Sequence, residues 1–284
     1  MQMTMLNGIR VHFALSGPSG GPGGASGDGA PDGPADGPKD GPAIVLANSL
    51  GTDLRVWDAM LPYLPAGIRL LRYDKRGHGL SECPAAPYDM ATLVADAEAL
   101  IDHIGLKKVL FVGLSVGGLI GQGLAAARPD LVGSLVLMDT AARIGTVPMW
   151  DERIEAINRG GIAAIEEQIL SRWFSEAFRS ERRDELALWR HMLCRTPEDG
   201  YLGCAYAIRD ADFTEATAAL SMPVLAMAGE EDGSTPPALV QATAESIAGA
   251  RFALIKAAGH LPCVEQPEVT GALIADFARE TGHV

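Results

Sequence analysis

The feature that most constrains the fold is a run without charged side chains over residues 109–127. A helix that spans a membrane needs about 20 consecutive, mostly apolar residues, so the length alone would allow a span. The run, however, contains five glycines together with Ser115 and Gln122. Because buried strands and buried helices also read as continuous apolar runs, we interpret it as a buried strand that leads directly into a buried helix.

Short runs rich in Val, Leu and Ile recur along the chain and alternate with helical patterns. Strands are predicted at residues 9–15, 43–47, 68–73, 108–112, 134–138, 224–228 and 251–255. Helices are predicted at residues 90–104, 116–127 and 237–248, with one more after Pro267. The strands show little polar alternation, which is typical of parallel strands covered on both faces. This order predicts an α/β fold, with a mostly parallel sheet flanked by helices and joined by right-handed crossovers.

Two segments interrupt this alternation. Residues 17–42 are almost entirely Gly, Pro, Asp, Ala and Ser, and so little apolar surface does not offset the entropy of ordering. We therefore predict a flexible loop there. Residues 143–214 read as consecutive helices at 150–158, 162–178, 182–194 and 198–208, and they hold three of the four tryptophans. We predict a core formed by residues 1–142 and 215–284, and a helical lid formed by residues 143–214.

The sequence GLSVG, with Ser115 at its centre, lies between the predicted strand 108–112 and the predicted helix 116–127. A serine on so tight a strand-to-helix turn has a strained backbone, and glycines on both sides let the strand and the helix approach closely. The turn exposes the hydroxyl and places the helix N-terminus beside it. We predict that Ser115 is a nucleophile.

A serine hydroxyl is a poor nucleophile and needs a base. His260 follows the predicted strand 251–255, which places it on a loop at the carboxyl edge of the sheet, where Ser115 also emerges. We therefore predict that His260 is the base, with His78 as second choice.

The base needs an acid that fixes its tautomer and stabilises the imidazolium. Asp232 follows the predicted strand 224–228, and the Thr-Pro-Pro after it suits the start of a helix. Glu230, Glu231 and Asp139 are the alternatives. The chain order Ser, Asp, His is the order that this kind of strand–turn–helix site uses, and we favour Asp232 over the alternatives because the loop length and the closing Thr-Pro-Pro suit a helix start after it.

An oxyanion hole needs two amides aimed at one point. We predict the backbone N–H groups of Val116, next to the nucleophile, and of Leu50, in the loop after the strand 43–47. The charged run DKRGHG after the strand 68–73 allows two interpretations, a phosphate-binding loop or a loop braced by Asp74 and Arg76. We favour the braced loop, with glycines at its tight turns.

These motifs resemble those of the α/β hydrolases. The resemblance rests on FVGLSVGG around Ser115, on DKRGHGLS from Asp74, and on the Gly-His pair at His260. The segments NSLGTD at 48–53, AARIG at 141–145 and GCAYAIRDAD at 203–212 resemble more closely the 3-oxoadipate enol-lactonases of the β-ketoadipate pathway. The resemblance covers nearly the whole chain apart from residues 17–42. Gly233 departs from the pattern, where proline is common, and this loosens the loop of the acid without removing a catalytic group.

The resemblance implies that Ser115 attacks an enol-lactone carbonyl and that water, activated by His260, then releases 3-oxoadipate. Because this substrate carries a carboxylate, the lid residues Arg143, Trp150 and Arg209 are candidates for binding it. A carboxylesterase or a cofactor-free perhydrolase would use the same three catalytic groups. A ligand receptor of the same fold would bind a small molecule with slow turnover or none.

Composition narrows the range of partners. A chain with a formal net charge of −13 repels the phosphates of nucleic acid, so we expect no nucleic-acid binding. The four cysteines include no Cys-x-x-Cys pair and no zinc-like surroundings, which indicates reduced thiols in a cytoplasmic protein. The N-terminal residues lack the pattern of a signal peptide. We therefore expect a small-molecule lactone or ester as substrate, with no metal, no organic cofactor and no membrane.

Overall fold

The computed structural model describes residues 2–17 and 42–284. The predicted loop 17–42 therefore lies, apart from its two ends, outside the described residues. Within the described part, an eight-stranded sheet has the spatial order β1-β2-β4-β3-β5-β6-β7-β8. The strands are β1 (Gln2–Leu6), β2 (Ile9–Ser16), β3 (Ala43–Ala47), β4 (Arg69–Tyr73), β5 (Val109–Leu114), β6 (Val132–Met138), β7 (Val224–Gly229) and β8 (Arg251–Ile255).

The strands from β4 to β8 pair in parallel with one another and with β3, whereas β1 and β2 are antiparallel. The predicted mostly parallel sheet is confirmed. Every residue of β3 and β5 is buried, because helices cover both faces of the central sheet. Strand β1 was not predicted, since it is an edge strand whose residues are exposed or half-buried and so form no apolar run.

Helices flank the sheet and also fill the segment between β6 and β7. The flanking helices are α1 (Met90–Ile104) and α2 (Val116–Ala127), then, after β7, α9 (Pro237–Glu245), α10 (Pro262–Glu265) and α11 (Pro267–Glu280). Between β6 and β7 lie α3 (Val147–Gly160), α4 (Glu166–Trp173), α5 (Glu176–Glu181), α6 (Arg183–Cys194), α7 (Glu198–Asp210) and α8 (Thr214–Ala218). Short 3-10 helices occur at Leu54–Trp57, Leu61–Tyr63 and Ile162–Ala164. Among the described helices, none is both long and apolar enough to cross a bilayer.

The single helix predicted at 162–178 is wrong, because the chain breaks between α4 and α5. Phe174 has an extended backbone, with φ −123° and ψ 143°. The amide of Ser175 donates to the buried carboxylate of Glu265 at 3.1 Å, and its hydroxyl accepts from the Phe178 amide at 3.2 Å. A distant carboxylate and a local N-cap thus replace the hydrogen bonds of a continuous helix.

The turn between β5 and α2 depends on small residues. A Cβ added at Gly117 would lie 2.0 Å from the Ala47 carbonyl oxygen of β3, and one at Gly113 would lie 2.3 Å from the Gly117 oxygen. Backbone atoms block both positions, so no side-chain rearrangement relieves the overlap. Helix α2 packs directly onto the centre of the sheet because these residues carry no side chain.

We expect Gly117→Ala to destabilise the fold by about 2 kcal/mol or more, because its methyl group has to displace the backbone of β3. Urea unfolding followed by circular dichroism measures the change. Gly160→Ala, at the exposed end of α3, is the matched control and should change stability by no more than about 1 kcal/mol. Equal stability of the two variants would contradict this account of the turn.

Candidate active site

Ser115 adopts a backbone conformation that few residues other than glycine accept, with φ 57° and ψ −116°. Such strain costs about 1–3 kcal/mol and persists only where the surroundings enforce it. Here the Ser115 amide donates to the Met138 carbonyl at 2.9 Å, and the Thr140 hydroxyl donates to the Ser115 carbonyl at 2.7 Å. The end of β6 therefore holds the predicted nucleophile on the turn.

The predicted base and acid are hydrogen-bonded to each other. Nδ1 of His260 lies 2.9 Å from Oδ2 of Asp232, and both side chains are buried. Asp232 also accepts from the Thr235 hydroxyl at 2.7 Å and from the Ser234 amide at 2.7 Å. Burial raises the pKa of Asp232, but the interactions with His260, Thr235 and Ser234 outweigh burial, so its net pKa lies below the ordinary value. Asp232 is therefore ionised near neutral pH.

Ser115 and His260 emerge at the same edge of the sheet, at the carboxyl ends of β5 and β8. Among the described contacts, Ser115 Oγ and His260 Nε2 do not form a hydrogen bond. In hydrolases without substrate this contact is often long or poorly aligned and tightens in the substrate complex. Of the two hydrogen bonds that the predicted triad requires, the structure contains the one between His260 and Asp232.

Two alternative acids and the alternative base considered in the sequence analysis are hydrogen-bonded to other groups. Glu230 and Glu231 are exposed and accept from the amides of Ala257 and Glu176. The buried His78 uses its Nε2 to accept from the Gly51 amide at 3.0 Å. Burial, with a further contribution from a neighbouring lysine, holds the pKa of His78 well below its usual value. None of the three is hydrogen-bonded to His260.

Asp139 is a second carboxyl group beside the predicted triad. It is fully buried at the end of β6, has φ 46°, and accepts from the Gly229 amide at 2.8 Å. Burial first, and then the charge of Asp232, raise the pKa of Asp139 well above its ordinary value. Because two ionised carboxylates in one dry site repel each other, Asp139 keeps its proton to a higher pH than an ordinary aspartic acid does.

Ligand atoms of Asp139, Asp232 and His260 lie within 4.8 Å of one another, which is close enough for metal ligands. Nδ1 of His260, however, is bonded to Asp232 and so offers no free lone pair to an ion. Because Nδ1 of His260 and Oδ2 of Asp232 are already bonded to each other, these groups favour a hydrogen-bonded pair over a metal site.

The loop that carries Leu50 is fixed on both sides of this residue. Nζ of the buried Lys75 lies 2.5 Å from the Ser49 carbonyl and 3.3 Å from the Thr52 carbonyl, while the Gly51 amide donates to His78. Burial lowers the pKa of Lys75 to about 8. The DKRGHG run thus braces the loop of the predicted oxyanion amide. Val116, which bears the other predicted amide, is the first residue of α2.

The three residues of the predicted lid that we expected to bind substrate already have partners within the protein. Trp150 is buried and donates from Nε1 to the Ile144 carbonyl at 2.7 Å. Arg143 lies 3.3 Å from Asp212, and Arg209 forms ion pairs with Asp151 at 3.0 Å and with Asp210 at 2.7 Å. Neither arginine offers an unmatched charge to a substrate.

A cavity of about 740 Å³ lies between the loop after β3 and helix α6, with Leu54, Leu80, Trp189 and Arg195 among its lining residues. None of the residues of the predicted triad lines it. The cavity is therefore separate from the predicted catalytic residues.

We expect Asp139→Asn to stabilise the fold increasingly as pH rises. In the unfolded chain the carboxyl of Asp139 ionises near pH 3.8, whereas in the folded protein it keeps its proton to a higher pH. Above pH 3.8, ionisation therefore stabilises the unfolded wild-type chain and lowers its free energy of unfolding. The cost grows by about 1.4 kcal/mol per pH unit until the folded pKa is reached. Asparagine stays neutral and tolerates positive φ. Urea unfolding at pH 5, 6 and 7 measures the gap.

Asp276→Asn, which removes an exposed aspartate from α11, is the matched control and should show no such trend. A gap between Asp139→Asn and wild type that stays constant, or shrinks as pH rises, would mean that Asp139 is ionised in the folded protein.

Comparison with known proteins agrees with this architecture. The chain matches the alpha/beta hydrolase family over residues 44–273. It is 34% identical to 3-oxoadipate enol-lactonase 2 of Acinetobacter baylyi over 226 residues, 80% of this chain and 84% of that protein. The solved enol-lactonase from Burkholderia xenovorans LB400 is 32% identical, with a TM-score of 0.87, and the match covers 98% of this chain and 100% of that one.

A thermophilic esterase from Thermogutta terrifontis, solved with malate bound, is 26% identical, with a TM-score of 0.86 and 100% of both chains covered. The family match spans most of the chain, and it includes the strained serine turn and all the parallel strands except Ala43, the first residue of β3. The chain therefore belongs to the α/β hydrolase family.

Proposed function

We propose that this hydrolase opens 3-oxoadipate enol-lactone to 3-oxoadipate by acyl-enzyme chemistry at Ser115. The observation that carries the proposal is the buried hydrogen bond between His260 and Asp232, at the sheet edge where the strained turn presents Ser115. The similarity to enol-lactonases in both sequence and structure supports the choice of substrate.

In this mechanism Ser115 Oγ attacks the lactone carbonyl while His260 takes the proton of the hydroxyl. Asp232 keeps the imidazole in the required tautomer and stabilises its positive charge. The amides of Leu50 and Val116 would stabilise the oxyanion, and each such donor contributes about 3 kcal/mol in related sites. Collapse of the intermediate breaks the bond between the carbonyl carbon and the ring oxygen; the enolate formed is a good leaving group, stays attached to the acyl chain and takes the proton from His260. The neutral His260 then activates a water molecule, which hydrolyses the bond between the acyl group and Ser115.

A carboxylesterase is the second candidate, because the same groups hydrolyse simple esters and a thermophilic esterase covers the whole chain. That esterase was solved with malate, a dicarboxylate, which supports a ligand with carboxylate groups for this chain as well. A perhydrolase would use the same serine, whereas a ligand receptor would need no ionised acid beside His260.

A cytoplasmic location and a small-molecule substrate are part of the proposal.

We expect Ser115→Ala to lower kcat for the enol-lactone by about 10⁴-fold or more, because the nucleophile is lost while the fold is kept. The decay of lactone absorbance measures the rate. Ser246→Ala, which alters a serine in the turn after α9, is the control and should keep wild-type activity. Full activity of Ser115→Ala would refute the mechanism, and simple aryl esters turned over orders of magnitude faster than the lactone would favour the carboxylesterase.

A further inference from the structure

Asp139 is a buried acidic side chain that the proposed mechanism does not use. It is fully buried, and in the described part of the chain it forms no ion pair with a basic side chain. Its Oδ1 accepts from the Gly229 amide, whereas no donor of the described residues reaches its Oδ2. A buried polar atom without a partner is costly, and catalytic groups are among its known explanations. Asparagine would fill the same volume without placing a second acid beside Asp232.

Strand β7 fixes the position of Asp139. The Asp139 amide donates to the Met227 carbonyl of this strand at 2.8 Å, and the Gly229 amide donates to Oδ1 of Asp139 at 2.8 Å. The Gly229 carbonyl in turn accepts from the amide of Asp232 at 3.1 Å. One residue of β7 thus binds both acids, so the carboxyl group of Asp139 has little freedom to turn away from the loop that carries Asp232.

This position brings Asp139 close to both members of the hydrogen-bonded pair. One oxygen of Asp139, one oxygen of Asp232 and one ring nitrogen of His260 all lie within 4.8 Å of one another. Two carboxyl groups form a hydrogen bond with each other only when one of them holds a proton. Burial and the neighbouring Asp232 raise the pKa of Asp139, whereas the pKa of Asp232 lies below its ordinary value. When the two groups share one proton, it therefore lies on Asp139.

We propose that Asp139 is a reserve acid for His260: it donates its proton to Asp232 in a hydrogen bond, and it accepts from Nδ1 of His260 when the Asp232 side chain is removed. The inference rests on the hydrolase chemistry proposed above. Without Asp232, the charge that opposes ionisation of Asp139 is gone, and Asp139 releases its proton to solvent. Its carboxylate then orients the imidazole and stabilises the imidazolium. Asp139 acts only through His260 and is therefore a positioning residue.

The test measures the effect of Asp139→Asn in two backgrounds, wild type and Asp232→Ala. The substrate is 4-nitrophenyl acetate, so that the result does not depend on the assignment of the lactone. We expect Asp139→Asn to lower kcat/KM by a factor at least about tenfold larger in Asp232→Ala than in wild type. Groups that substitute for each other show such non-additivity, whereas the effects of independent groups multiply.

The Thr235 hydroxyl, 3.4 Å from Nδ1 of His260, is the rival partner for the imidazole in Asp232→Ala. Thr235→Val in that background should cost less than Asp139→Asn, because a hydroxyl has no charge that stabilises the imidazolium. Glu230→Gln, which removes an exposed carboxylate of the acid loop, is the matched control and should change kcat/KM by the same factor in both backgrounds. Equal factors for Asp139→Asn in the two backgrounds, or a larger loss from Thr235→Val, would overturn the reserve acid.

Proton NMR at low temperature detects the hydrogen bond of His260 without turnover. A ring proton that is donated to a carboxylate resonates at low field. We expect this resonance in Asp232→Ala and not in Asp232→Ala/Asp139→Asn, and its absence from Asp232→Ala would overturn the inference. If alanine unfolds the acid loop, Asp232→Ser gives the same comparisons, because a serine hydroxyl still accepts from the Ser234 amide in a local turn.

Ser115→Ala separates this inference from the proposed function. If Ser115→Ala hydrolyses the aryl ester as fast as wild type, the serine chemistry and the reserve acid fail together. If Ser115→Ala is inactive and Asp139→Asn costs the same factor with and without Asp232, only the role of Asp139 fails.

Discussion

The site depends on the direct contact between helix α2 and the centre of the sheet. Gly117 packs against the Ala47 carbonyl so closely that no side chain is accommodated, and this forces Ser115 into its strained conformation. Met138 and Thr140 at the end of β6 then hold the serine backbone by hydrogen bonds. Because β6 lies between β5 and β7, the same strand end that fixes the serine also places Asp139 beside the acid and the base.

Burial decides which groups around the site carry a charge. The pKa of Asp232 stays below its ordinary value because four hydrogen bonds compensate the burial of this side chain. Asp139 has one amide donor, and its pKa is raised, so it keeps its proton to a higher pH. His78 stays neutral and can accept from Gly51, and the nearby Lys75 holds two carbonyls of the same loop. A single carboxylate charge is thus available to the imidazolium, while neutral or fully bonded groups position the backbone amides.

The sequence was sufficient for the parallel sheet, because its strands are continuous apolar runs, and for placing Ser115, Asp232 and His260 after the ends of strands. The sequence was not sufficient where contacts between distant parts of the chain determine the local structure. The break after α4 depends on Glu265, far along the chain, and β1 is recognisable only as the edge partner of β2. Arginine spacing also does not reveal pairing: Arg143 and Arg209, which were candidates for binding substrate, form ion pairs with aspartates.

The buried carboxylate of Glu265 joins the helices between β6 and β7 to the loop that carries His260. Glu265 accepts from the Ser175 amide and hydroxyl between α4 and α5, and from the Gly259 amide beside His260 at 2.6 Å. One buried carboxylate thus fixes both the loop of the base and the turn that follows Arg172. A shift of α4 would therefore also displace the loop that carries His260.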